Sequence, residues 1–123
     1  LKALGYHILL EYFNCDKKVL NSRKSIESTL MEAARRSKAH IVQSVFHQFN
    51  PHGVSGVVVI CESHFSIHTW PEFGYAAVDL FSCGETIDYK TAMNYIAEKL
   101  KSKHVTSVAV QRGLLGIPKC QIR

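Results

Sequence analysis

Val54-Ser55-Gly56-Val57-Val58-Val59-Ile60-Cys61 and His64-Phe65-Ser66-Ile67-His68-Thr69-Trp70 are two runs of strand-forming residues with only Glu62 and Ser63 between them. The first is almost continuously apolar and reads as a buried strand. The second is rich in aromatic and β-branched residues and meets Pro71, which favours strand over helix. Upstream, residues 41–49 alternate, with Ile41, Gln43, Val45 and His47 on one side and Val42, Ser44, Phe46 and Gln48 on the other; Pro51-His52-Gly53 turns the chain. Downstream, residues 71–74 turn into a strand over 75–83. Residues 6–13 and 105–110 supply a first and a last strand.

Two helices interrupt the strands. Asp16 or Ser22 can cap a helix running to about Lys38, with Leu20, Ile26, Leu30 and Ala33 or Ala34 as its apolar stripe. Asp88 caps a second, whose stripe is Tyr89, Ala92, Met93, Ile96, Ala97 and Leu100. The order β-α-β-β-β-β-α-β implies an α/β (α+β) fold with a mainly antiparallel sheet and two helices on one face. No repeat or linker divides the chain, so residues 1–123 read as a single domain.

Composition narrows the function. Apolar residues are 46% and charged residues 20%, and the longest apolar run, residues 57–61, is far short of the roughly 20 residues of a spanning helix. Leu1-Lys2-Ala3-Leu4-Gly5 does not read as a secretion signal, and Cys15, Cys61, Cys83 and Cys120 form no CxxC pair, so a reducing cytoplasm is expected, with no membrane partner. The net charge of +5 is unevenly spread: residues 39–89 contain no Lys or Arg but hold Glu62, Glu72, Asp79, Glu85 and Asp88. That section carries −5 and also holds five of the seven histidines. An aromatic section without cations is the wrong arrangement for a phosphate track, so no nucleic acid is expected, and a cationic ligand suits it better.

The segment around Ser63 carries the chemistry. A serine hydroxyl can attack the carbonyl before it when the backbone presents that carbonyl; the Glu62–Ser63 peptide then becomes an ester. Loss of the Ser63 α-hydrogen expels Glu62 as a carboxylate and leaves dehydroalanine, and hydrolysis releases ammonia and leaves a pyruvoyl group. This needs a hydroxyl, a strained peptide, an oxyanion donor and a base, roles that Ser63, His68 and Ser55 can fill. A solitary serine in a turn is ordinarily just a turn residue, so the neighbours decide. His64 and His68 have a zinc-like spacing, but on a strand they stand roughly 13 Å apart, too far for one ion, and no metal is expected. Cys83 is a buried thiol or an acid near the reacting carbon; Glu72 is a solvated turn carboxylate or an acceptor for sugar hydroxyls; Phe49 is core or a stacking face.

Taken together, Phe49-Asn50-Pro51-His52-Gly53-Val54-Ser55-Gly56, Glu62-Ser63-His64, His68-Thr69-Trp70-Pro71-Glu72 and residues 75–84 resemble the small prokaryotic S-adenosylmethionine decarboxylase proenzymes, over residues 5–112. The resemblance implies a two-layer sandwich that cleaves itself between Glu62 and Ser63, with the cofactor a pyruvoyl group made from Ser63. His68 would take the α-proton in processing and Ser55 would assist the acyl shift. Cys83 would be the proton donor in catalysis; Phe49 would stack on adenine and Glu72 hold the ribose hydroxyls. The pyruvoyl carbonyl would form a Schiff base with S-adenosylmethionine and accept the electrons released as CO2 leaves. The product is the aminopropyl donor for spermidine synthesis. The implied assembly is a dimer of processed protomers with sites near the interface. Two other readings differ in kind: an arginine decarboxylase with the same cofactor, which would need an acidic pocket for a guanidinium, and a non-enzymatic domain binding RNA or protein. The thiol of Cys61 stands where a small polar residue is expected.

Overall fold

Asp16 and Ser22 both act as N-caps, so the expected first helix is two. The Asp16 carboxylate accepts from the N–H groups of Lys18 (2.9 Å) and Val19 (3.1 Å) and starts α1 (Lys17–Leu20); the Ser22 hydroxyl accepts from the Ser25 N–H (3.1 Å) and starts α2 (Arg23–Arg36). In this computed structural model the described residues are 3–83 and 85–115. Gly84 of the matched motif, Cys120 and most of the C-terminal tail lie outside them. The remaining elements are β1 (Ala3–Phe13), β2 (Ile41–Gln48), β3 (Val54–Ile60), β4 (Ser63–Trp70), β5 (Tyr75–Ser82), α3 (Tyr89–Leu100) and β6 (His104–Leu114), with a 3-10 turn at Pro71–Phe73. Among the described residues no helix is long and apolar enough to cross a membrane.

The six strands form one antiparallel sheet in the order β2-β3-β4-β5-β1-β6. Consecutive strands β2 to β5 are neighbours, and the first strand is inserted between β5 and β6. On one face Leu10, Tyr12, Val54, Val58, Phe65, Ile67 and Leu80 are buried against Leu20, Ile26, Leu30, Ala33 and Ala34 of the first two helices and Ala92, Ile96 and Leu100 of α3. Every residue foreseen on the first stripe is therefore in the core, and the helices do pack on one face. The Tyr12 hydroxyl crosses this layer and donates to the Met93 carbonyl at 2.8 Å, which satisfies its one buried polar group.

The alternation of β2 is not as expected. Ile41 sits opposite the buried Ile60, whereas Gln43 sits opposite the exposed Val59, with a register shift between them. Val42 is the extra residue of a β-bulge, which moves Ile41 to the core face and leaves Gln43, Val45 and His47 on the other. Among the described residues that other face has no helical cover, and it exposes Leu9, Val45, Val59, Val108 and Val110.

Removing core volume and removing a cap should differ in cost. Leu30, fully buried, should lose about 2–5 kcal/mol on Leu30→Ala, and Ser22→Ala about 1 kcal/mol. Urea denaturation measures both; a Leu30→Ala variant as stable as the wild type would place the core elsewhere.

Candidate functional site

The connection between β3 and β4 is two residues long. Ile60 pairs with Ser63, so Cys61 and Glu62 alone form the turn. Ser63 has φ 148°, a region that non-glycine residues rarely occupy and that costs on the order of 1–3 kcal/mol. The carbonyl oxygen of Glu62, on the peptide that joins it to Ser63, accepts from the backbone N–H of Cys83 at 2.6 Å. β5 brings Cys83 there because Ser82 is opposite Ser63 in the register. The donor is a main-chain group, and residue type alone does not reveal it.

The Glu62 side chain is held too. Its carboxylate accepts from the His40 backbone N–H (3.1 Å) and from His40 Nδ1 (2.7 Å), and the Cys61 N–H donates to the His40 carbonyl (2.8 Å). Burial pushes the Glu62 carboxyl up, but the hydrogen bonds from His40 together outweigh it and leave it below the usual glutamate range. Nothing in the spacing of His40 and Glu62 foretells this pair, because strand β2 begins between them.

A second group of candidates lies toward the other end of the same hairpin. Ser55 pairs with His68 across β3 and β4, and Ser55 Oγ is 2.7 Å from His68 Nδ1. A cleft of about 310 Å³ opens beside them, lined by Phe49, His52, Ser55, His68, Trp70 and Glu72 among others. Four residues singled out in the sequence thus share one cavity, at the lower end of the size range of ligand sites. The Phe49 N–H donates to the Gly53 carbonyl (2.8 Å), and Gly53, at φ 107°, donates to Asn21 Oδ1 (2.9 Å). A Cβ at Gly53 would lie 3.2 Å from the Thr69 carbonyl oxygen, so this turn needs glycine for conformation and for space. The Phe49 ring meets His47 edge-on at 4.6 Å. His52 Nε2 is 3.1 Å from Glu72 Oε1, a partner that the sequence reading missed. Trp70 packs on Tyr75 at 5.4 Å. Burial, and then the Glu11 carboxylate that accepts its hydroxyl at 2.7 Å, push the Tyr75 phenol up to about 12. A larger groove, about 580 Å³, runs along the outside of α2, but much of its charge is paired (Arg23 with Glu27, Arg36 with Glu32) and it holds none of these residues.

Within one chain the two groups do not meet. Ser63 and His68 are five residues apart on one strand, about 16 Å, and Ser55 lies opposite His68. Proximity in sequence, which suggested one cluster, becomes separation along an extended strand. The same geometry parts His64 from His68: His68 is bound to Ser55, and His64 Nε2 lies 3.0 Å from Asp79 Oδ2.

The folded protein holds Glu62 ionised to a lower pH than an unfolded chain does. The Glu62 contribution to stability is therefore complete above the ordinary glutamate range, near pH 4.3, and is lost as pH falls through the lowered value. Urea midpoints at stepped acidic pH should fall more steeply for the wild type than for Glu62→Gln; equal slopes would mean that the His40 contact does not favour the charged form.

The family model described as S-adenosylmethionine decarboxylase matches residues 6–113. The S-adenosylmethionine decarboxylase proenzyme of Caldicellulosiruptor saccharolyticus is 54% identical over 118 residues, covering 96% of this chain and 95% of its own. That of Thermotoga petrophila is 51% identical over 122 residues, covering 97% and 94%. The crystal structure of the adenosylmethionine decarboxylase from Aquifex aeolicus superposes with a TM-score of 0.87 at 36% identity, over 96% of this chain and 98% of that one. With these matches along nearly its full length, the chain belongs to the S-adenosylmethionine decarboxylase family.

Proposed function

We propose that this chain is made as a proenzyme, cleaves itself between Glu62 and Ser63, and then decarboxylates S-adenosylmethionine with the pyruvoyl group derived from Ser63. The observation that carries the reading is the 2.6 Å hydrogen bond from the Cys83 N–H to the Glu62 carbonyl, next to a serine held at φ 148°. Attack of Ser63 Oγ on that carbonyl carbon puts negative charge on the carbonyl oxygen, and a preset N–H at that oxygen stabilises the charge without reorganisation. The Ser63 C–N bond to Glu62 breaks and an ester forms, with relief of the backbone strain as a further driving force. Removal of the Ser63 α-hydrogen then expels Glu62 with a new main-chain carboxylate, while His40 holds the Glu62 side chain in place. A neutral His68 that donates its Nδ1–H to Ser55 has Nε2 as its basic nitrogen, as the proton abstraction requires.

His68 reaches the Ser63 of a second copy, not its own. About 16 Å separates the two groups in one chain, and among the described residues the sheet face that carries Ser55 and His68 has no helical cover and exposes several apolar side chains. Two copies packed through this face bury Leu9, Val45, Val59, Val108 and Val110 and set the Ser55–His68 end of one hairpin against the Ser63 end of the other.

In the decarboxylation the pyruvoyl carbonyl supplies the electron sink. The cleft supplies binding: Phe49 and Trp70 offer aromatic faces to adenine and to a sulfonium, and Glu72, steadied by His52, accepts the ribose hydroxyls. Among the described residues no Lys or Arg lines this cleft to repel the sulfonium. A guanidinium substrate fits less well, because the one carboxylate in the cleft is already paired with His52. Cys83, next to the cut, returns the proton to the substrate α-carbon.

The test is complementation between inactive chains. Ser63→Ala should stay uncut, and His68→Ala should be cut roughly 10²–10⁴-fold more slowly. When the two are mixed under conditions that exchange subunits, intact-mass analysis should find only the His68→Ala chains cut, because each receives His68 from its partner. Cleavage at the same rate in unmixed His68→Ala would remove His68 from the mechanism; cleavage of Ser63→Ala would remove Ser63.

A further inference from the structure

The geometry points to a transition-metal site on the sheet face opposite the helices, formed by His7, His64 and Asp79, which, resting on the cleavage proposed above, ties the two halves of the cut chain together. Three adjacent strands build it. His7 on β1 and His64 on β4 are both directly opposite Phe81 of β5, one on each side, and Asp79 lies one pleat back along β5. Both rings lean to the same atom: His7 Nε2 is 2.6 Å and His64 Nε2 3.0 Å from Asp79 Oδ2. All three candidate ligand atoms lie within 4.8 Å of one another. In a tetrahedral site with bonds of about 2.0–2.1 Å, ligand atoms stand about 3.3 Å apart. Small side-chain shifts make that set, with each ring moving its proton from Nε2 to Nδ1.

The surroundings support a metal of one class. The Ser66 hydroxyl donates to the other oxygen of Asp79 and fixes the carboxylate plane, the outer-shell contact that metal-bound carboxylates commonly have. The Phe81 ring packs on both imidazoles, at 5.0 and 5.6 Å. Arg112 stacks on the same ring at 4.8 Å, and its charge opposes any cation held by electrostatics alone. Two imidazole donors therefore select an ion of the zinc, cobalt or nickel type over magnesium or calcium. Three protein ligands leave a fourth position for water.

A cut after Glu62 leaves His7 on one fragment and His64 and Asp79 on the other. A bound ion would cross-link the fragments and anchor His64, the residue that follows Ser63. The sequence reading weighed only His64 with His68; a cluster drawn from β1, β4 and β5 is visible only once the register is known.

Cobalt(II) titration of the chelator-treated protein tests this without reference to activity. The wild type should bind one ion per chain with the visible d–d absorption of a four-coordinate site, lacking the sulfur charge-transfer band that Cys61 or Cys83 would add, and zinc should displace it. His7→Gln and His64→Gln keep an N–H for Asp79 but should lose the band; Ser66→Ala should weaken binding about tenfold, and His104→Gln should leave it unchanged. Zinc should raise the melting temperature of the wild type and not of His7→Gln. No band in the wild type, or a band that survives both glutamine variants, would overturn the proposal.

Discussion

The hydrogen bond between the Cys83 N–H and the Glu62 carbonyl joins the end of one strand to the turn between two others, and most of the site follows from it. It exists because β4 and β5 pair in a register that sets Ser82 opposite Ser63. A slip of one residue would turn every side chain of β4 to the opposite face, taking Phe65 and Ile67 out of the core and His64, Ser66 and His68 into it. The core therefore guards this contact: burial of Phe65, Ile67 and Leu80 enforces the register, and the register aims the donor at the Glu62 carbonyl.

The two faces of the sheet divide the work. The covered face holds the apolar core that stabilises the fold. The open face holds His7, Ser55, His64, His68 and Asp79, and its polar residues lie among apolar ones that no helix shields. The shortage of lysine and arginine in the middle of the chain suits the role proposed for this face, since a long cation there would disturb close packing and repel a cationic substrate.

Strand and helix assignments were legible because periodicity and caps act locally. Leu20, Ile26, Leu30, Ala92, Ile96 and Leu100 could all be assigned to the core from spacing alone, and both Asp16 and Ser22 carried a capping signal, although only the structure reveals that each begins its own helix. The bulge at Val42 was not legible, since it depends on how β2 meets β3. Within the site, Phe49, Ser55, His68 and Glu72 were found by motif, and they do share a cleft. The Cys83 backbone donor, the His40 clasp on Glu62 and the His52 partner of Glu72 escaped, because each joins residues through tertiary contact or through the main chain, which carries no sequence signal.

The place of β1 in the sheet bears on what the proposed cleavage would leave behind. A cut after Glu62 leaves β1, β2 and β3 on one piece and β4, β5 and β6 on the other, yet β1 lies between β5 and β6. The pieces are woven through each other: neither can leave without tearing two seams of the sheet, one on each side of β1, besides the seam between β3 and β4. On that proposal the sheet would hold the two pieces together, and an unfolded, processed protein would have to recover by an encounter of two molecules what the uncut chain achieves alone.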